Sequence, residues 1–416
     1  MTEATTQSPG DAGAGAPRGE TIKLSLATGM CWALAMLGLY AQPQLLESIM
    51  ADHGALESAV GQMFSFENGA FFITLLLASG PIAKMSRART ALAGMLALII
   101  GNIASAYADS LTTLLIARTI TGIGGGLISA AGTAAAASSS HPERVFAVIT
   151  VLHNIILSAQ YKVIPYVMTE TDPAGCYLMM AAVALVSLPL CRWLLPPRRS
   201  DVDEGGLVTL LLSAPNRMLA VAVMLGMFAF EAGQSGIFTF LDQIGIRAGL
   251  DADGRGTVLS VTSFLGLAGG VVAAAVGTRW GRVWPISIGL GLNVVAAAGL
   301  AVFESNFAYS ALNLLWAFAY NFLLPYLMGA LAALDDRGRW AVAGDAFWNG
   351  GAVPGPWIAA VLVEQGGMLP LAGWVLATGG ICLVLIVSAL RRFESLHTGA
   401  TSPQDHSPGS PNLPPP

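Results

Sequence analysis

The sequence predicts an all-α membrane protein of twelve transmembrane helices, arranged as two six-helix bundles in parallel repeat. Three observations carry that reading. Of 416 residues, 54% are hydrophobic and only 11% are charged, a balance that a soluble chain of this size does not have. Apolar stretches separated by short charged punctuation recur from Lys23 to Arg392, each long enough to cross a hydrocarbon core of about 30 Å. Finally, the punctuation superimposes on itself at an offset of 195 positions.

The spans fall at 24–45, 60–83, 90–108, 111–136, 145–167, 174–195, 217–241, 256–278, 284–303, 307–332, 340–363 and 369–390. Backbone amides in lipid must be satisfied within the segment, so each span is read as a helix. The polar, Gly/Ala/Pro-rich segments 1–22 and 393–416 are expected to be disordered cytoplasmic tails, and the first lacks the charged-then-apolar pattern of a secretory leader. Basic residues set the orientation. Lys23, Lys84, Arg89, Arg144, Arg192, Arg217, Arg339, Arg391 and most of the others fall in the tails and alternate loops. Only Arg247 and Arg255 sit in the opposite loops, among Glu47, Asp109, Glu304 and Glu364. By the positive-inside rule both termini are expected in the cytoplasm, in a multi-pass protein of a bacterial-type inner membrane.

At the offset of 195, Glu47 falls on Asp242, Gly61 on Gly256, Arg87 on Arg282, Asp109 on Glu304 and Asn154 on Asn349. A six-span unit has been duplicated, and an even number of spans keeps both copies in the same orientation. The chain then divides into an N-terminal bundle (23–196), a cytoplasmic linker (197–216) and a C-terminal bundle (217–392).

Composition also excludes classes of function. Cys31, Cys176, Cys191 and Cys382 have no spacing that suggests a metal site or a disulfide, and the five histidines form no cluster. A net charge of −5 carries no nucleic-acid signature. With no catalytic triad, metal spacing or nucleotide loop, the chain reads as neither an enzyme nor the holder of a metal or cofactor.

"LLIARTITGIGGGLISA" in the fourth span, with Arg118 followed by Gly122 and Gly124, resembles the helix-4 signature of the major facilitator superfamily, as "HPERVFA" after it resembles that family's start of helix 5. The loop "AAVGTRWGRV" is similar to the family's cytoplasmic loop motif, with Arg279, Gly281 and Arg282 in place but Thr278 where an acid is usual. The first copy, "GPIAKMSRAR", keeps Gly80 and Arg87 and has Lys84 at the acid's place. The resemblance implies alternating access, with helices 1, 4, 7 and 10 around a central cavity and helices 2, 5, 8 and 11 beside them.

An ionisable side chain inside a membrane helix costs roughly 2.5 to 3.5 kcal/mol on insertion scales, so each one is a candidate for function. They are Glu67, Arg118, His153, Lys162, Glu231 and Asp345. A rise of about 1.5 Å per residue puts Lys162, Glu67 and Glu231 at similar depth and Arg118 near the midplane. The expectation is that Glu67 pairs with Lys162; alternatively the lysine snorkels to the outer interface. Asp345 is read as a gate or a helix partner, and His153 as a proton carrier or a packing residue. Trp32, Tyr40, Gln42, Phe230, Gln234, Phe238, Trp316, Tyr320 and Asn321 are expected to line the cavity, a set suited to a small organic ligand.

The family's drug antiporters carry a Gly-Pro signature on helix 5, which the second half keeps as Gly355 and Pro356; the first half has Gln160 and Tyr161 there, followed by Lys162. Those residues argue against multidrug efflux. The expected function is a proton-coupled secondary transporter of a small organic solute, with an organic anion favoured by Arg118 and Lys162 and uptake favoured over export. The alternatives are an efflux permease for sugars, metabolites or drugs, and a membrane receptor that transports nothing. The expected partners are the solute, protons and the bilayer, with no nucleic acid, and the working unit is a monomer.

Overall fold

The computed structural model describes residues 18–79, 81–83, 85–139, 142–194, 216–334 and 339–398. Gly80 and Lys84 of the first loop motif lie outside the described residues, as do most of the linker and the outer parts of both tails. Among the described residues, ten helices are long and apolar enough to cross a membrane, and one of these, Arg144–Trp193, contains two spans.

The first bundle consists of α1 (Arg18–His53), α2 (Glu57–Ser79), α3 (Arg87–Ala106), α4 (Leu111–Ala137), α5 (142–171) and α6 (173–187). The last two are divided at Asp172, whose φ of 56° and ψ of −173° turn the chain immediately before Pro173. The second bundle consists of α7 (Arg217–Thr239), α8 (Ala252–Val276), α9 (Val283–Val302), α10 (Asn306–Ala332), α11 and α12 (Met368–Thr398). Helix α11 is made of two halves, Arg339–Gly351 and Gly355–Gly366, separated by a break that ends at Pro354. Helix begins at Arg18 and ends at Thr398, so it extends into 18–22 and 393–398, segments read above as tails.

Short loops end in side-chain caps that satisfy the free amides of the next helix. Ser110 caps α4 in a reciprocal box with Thr113, and Ser305, 195 positions later, caps α10 by accepting from the Ala308 amide at 3.2 Å. The repeat is equally visible in packing. Gly61 on α2 lies against Pro356 and Ala360 of α11, while Gly256 on α8 lies against Tyr161 and Pro165 of α5. Each contact maps onto the other at the offset of 195, the relation expected of two bundles facing each other across a pseudo-two-fold axis.

The two ends of the molecule differ in charge. Lys23, Arg144, Arg279 and Arg391 are exposed at the basic end. At the acidic end the two arginines are paired: Arg247 with Glu304, and Arg255 with Asp242 at 2.9 Å. Burial raises the Asp242 carboxyl above the ordinary carboxylate range, and the Arg255 guanidinium opposes that rise. Arg87, expected as a loop cation, is instead buried at 1% exposure in the first turn of α3.

Candidate functional site

Inside the first bundle, Glu67 on α2 meets Arg118 on α4. Arg118 Nη2 donates to Glu67 Oε1 and Nε donates to Oε2 at 3.2 Å, so the planar guanidinium grips both carboxylate oxygens. Nη1 donates to Asn102 Oδ1 of α3 at 2.9 Å, and the Tyr177 ring of α6 lies 5.2 Å from the guanidinium carbon. Thr121 donates to Glu67 Oε1 at 3.0 Å, and Gln42 of α1 donates to Asn68 at 2.9 Å and more loosely to Glu67. Asn68 in turn donates to the Ala352 carbonyl at 3.2 Å, in the break of α11. The cluster is therefore tied to the second bundle.

This arrangement admits little else. Gly38 of α1 faces the pair so closely that a Cβ there would collide with the guanidinium and the carboxylate. The adjoining cavity has a volume of ≈ 10 Å³, space for about one water.

The expected Glu67–Lys162 pair is not formed. Similar depth does not fix azimuth: α2 turns Glu67 toward α4, whereas α5 turns Lys162 toward α8. There Lys162 Nζ contacts Asp253 Oδ1 and donates to Thr257 at 2.7 Å, with both charged side chains exposed. Nor does the lysine simply snorkel; it is paired across the bundles. Its neighbours act locally, as Gln160 donates to the Leu37 carbonyl at 2.7 Å and the Tyr161 carbonyl accepts from Gln44 at 3.0 Å. The polar residues in the place of Gly-Pro thus clasp α5 to α1.

A second cluster lies where the bundles meet. Glu231 on α7 accepts from Tyr320 Oη of α10 at 3.1 Å, and Tyr320 Oη accepts from Trp348 Nε1 of α11 at 3.1 Å. The Phe230 ring stacks with Tyr320 at 6.3 Å, and Trp316 Nε1 donates to Gln234 Oε1 at 2.5 Å. From the first bundle come Tyr40, 5.8 Å from Phe238, and His153, 5.4 Å from Tyr40. Trp32 stands edge-on to His153 at 6.0 Å and donates to Thr133 at 2.9 Å. Among the described residues Glu231 has no ion pair, and the buried atoms His153 Nδ1 and Gln234 Nε2 have no hydrogen-bond partner. In a low-dielectric interior such atoms are costly unless water or a solute reaches them.

Three expected site residues lie elsewhere. Gln42 belongs to the Glu67 cluster, two residues and about 200° of helix beyond Tyr40. Asn321 donates to the Ala317 carbonyl at 2.9 Å and lies against Gly266 of α8. Asp345 is exposed, and its contact is with Asn349 one turn on. Conversely, Asn68, Asn102, Thr121, Tyr177 and Trp348 complete the clusters although the sequence reading passed over them. Thr121 follows Arg118 at a spacing that shares its helix face, and Asn68 adjoins Glu67; those were the available signals.

The bundles close on each other at the acidic end. Ser158 of α5 and Ser260 of α8 place their hydroxyl oxygens 2.6 Å apart, Ser65 Oγ of α2 accepts from the Trp357 amide at 3.1 Å, and Glu364 accepts from the Ser58 amide at 3.1 Å. α5 packs on the 252–265 half of α8 and α2 chiefly on the Gly355–Gly366 half of α11. If these seams part during turnover, oxidising a Ser158→Cys/Ser260→Cys variant should stop solute flux, and reductant should restore it. The four native cysteines are buried, which limits side reactions. Undiminished flux in fully crosslinked protein would show that the seam is static.

The model of the Major Facilitator Superfamily matches residues 28–334. No curated protein sequence matches. Among solved structures, the chain is similar to a bacterial homolog of the human lysosomal transporter Spinster in an inward-facing, unoccupied conformation, with 13% identity over 91% of this chain and 99% of that one and a TM-score of 0.72. A D-xylose–proton symporter matches with 16% identity, 89% and 96% coverage and a TM-score of 0.68. The nucleoside transporter NupG matches with 13% identity, 90% and 100% coverage and a TM-score of 0.71. At identities this low the likeness shows the fold alone.

Proposed function

Because this chain belongs to the major facilitator superfamily, we propose that it is a proton-coupled secondary transporter that carries an uncharged or cationic small organic solute by alternating access. The observation that carries this reading is the cluster at the bundle interface, where, among the described residues, Glu231 has no basic partner, polar atoms of His153 and Gln234 have no hydrogen bond, and aromatic rings come from both bundles. Few polar groups set among aromatic surfaces suit a polar organic molecule. The two cations that favoured an anion are each engaged by a carboxylate, Arg118 by Glu67 and Lys162 by Asp253. Structural neighbours named for xylose–proton symport and nucleoside transport are consistent with an uncharged, hydrogen-bonding solute.

The paired arginines at the acidic end and the exposed basic residues at the other support an orientation with both termini in the cytoplasm of a bacterial-type cell. One chain supplies both walls of the site, which supports a monomer as the working unit.

Proteoliposomes carrying a pH-sensitive dye, challenged with sugars, nucleosides, amines and organic acids, test this function. Solute-dependent proton flux is expected with members of the first three groups. Flux with carboxylates alone would restore the anion reading, and none across the panel would overturn proton-coupled transport of such solutes.

A further inference from the structure

The break in α11 strands two backbone groups. In an unbroken helix the Ala352 carbonyl would accept from the amide of residue 356, but Pro356 has no N–H. The Trp357 amide lies in the first turn of the second half, where a helix supplies no acceptor of its own. Both groups are met from the other bundle by α2: Asn68 Nδ2 donates to the Ala352 carbonyl at 3.2 Å, and Ser65 Oγ accepts from the Trp357 amide at 3.1 Å. A spacing of three puts Ser65 and Asn68 on one helix face, flanked by Gly61 against Pro356 and Phe72 against Gly350.

The symmetry-related seam is built differently. At the offset of 195, Ser65 and Asn68 become Ser260 and Ser263 of α8, which packs on α5 where that helix runs unbroken through Gln160 and Tyr161. There the Ser260 hydroxyl meets that of Ser158, and Ser263 donates to the Leu259 carbonyl of its own helix at 2.8 Å. Capping across the seam thus accompanies the break. The break also backs onto Glu231: a Cβ on Gly351 would collide with the Phe228 carbonyl and with Glu231 Cβ. We propose that Ser65 and Asn68 are positioning residues of the transport cycle, which clasp the broken α11 from the opposite bundle, hold the acidic end closed and fix the backbone behind Glu231. When the seam parts, water must replace both partners, so the closed state is favoured by the two hydrogen bonds. The inference rests on the reading of the chain as an alternating-access transporter and not on the identity of its solute.

Spin labels at Leu56→Cys and Leu369→Cys, exposed positions on opposite bundles at the acidic end, report the separation by double electron–electron resonance in nanodiscs without solute. The ratio of open to closed separations should rise about fivefold with Asn68→Leu and about fivefold with Ser65→Ala. Ser65→Thr, which keeps the hydroxyl, should keep the wild-type ratio. A poorly folded variant would broaden the distribution rather than fill a second distance. In a Pro356→Ala background residue 356 has its own N–H, and Asn68→Leu should then change the ratio little. An unchanged ratio in the Asn68→Leu/Ser65→Ala variant would overturn the proposal, as would a full fivefold shift by Asn68→Leu in the Pro356→Ala background. Solute-dependent proton flux in the wild type tests the transport reading separately: its absence beside the expected distance shifts would remove that reading and leave the clasp.

Discussion

Glu231→Gln is expected to convert concentrative transport into simple equilibration. The carboxyl lies at the bundle interface, hydrogen-bonded to Tyr320 and, among the described residues, without an ion pair, so a proton or a cationic group on the solute can balance its charge. One proton moved per solute down a gradient of one pH unit sustains about tenfold accumulation, equivalent to about 1.4 kcal/mol. Gln keeps the shape and can still accept from the Tyr320 hydroxyl, but it cannot carry the proton. Accumulation in proteoliposomes should therefore fall to the equilibrium ratio, while solute exchange at equal pH persists. Tyr320→Phe should weaken coupling less, because it removes one hydrogen bond and leaves the carboxyl. Wild-type accumulation by Glu231→Gln would remove this residue from the proton path.

The proposed coupling site was partly legible because its strongest signals are chemical rather than geometric. An acid in an apolar helix stands out, as do aromatics and amides on α1, α7 and α10, and the structure places Glu231, Gln234, Trp316, Tyr320, Tyr40, Trp32 and His153 in one cluster. The twelve spans and their duplication were legible for a related reason: lipid demands long apolar helices, and a duplicated unit leaves its charges and close-packing glycines in register. Gly61 and Gly256, which make equivalent contacts, are the clearest case.

Azimuth was not legible. Counting residues along a helix gives depth, but Lys162 and Arg118 compete for Glu67 on direction, and direction depends on how α2, α4 and α5 are rotated in the bundle. The same limit explains Asn321, about 100° around α10 from Tyr320. Uncharged partners were passed over for another reason. Asn102 and Thr121 carry little signal on an apolar helix until a buried charge needs their hydrogen bonds.

That need gives the second large effect. Arg118→Ala or Glu67→Gln alone should destabilise the protein strongly, by about 3 to 5 kcal/mol for the arginine, because the remaining partner is stranded in a low-dielectric interior. Both side chains are nearly inaccessible, at 3% and 1%, and the cavity beside them, at ≈ 10 Å³, has room for about one water to replace a lost guanidinium. The paired change Glu67→Gln/Arg118→Gln should cost much less than the sum of the single changes, since two amides can hydrogen-bond each other and Asn102 without a net charge. Denaturation of the purified variants, set out as a double-mutant cycle, measures the coupling directly. Additive losses would show that the pair is not an energetic unit. A double variant that folds well but transports poorly would locate the value of the charges in motion rather than stability. The cluster is linked to the break in α11 by the hydrogen bond from Asn68 to the Ala352 carbonyl, and Gln42 connects Asn68 to Glu67, so loss of transport in the double variant would implicate this chain of contacts between the bundles.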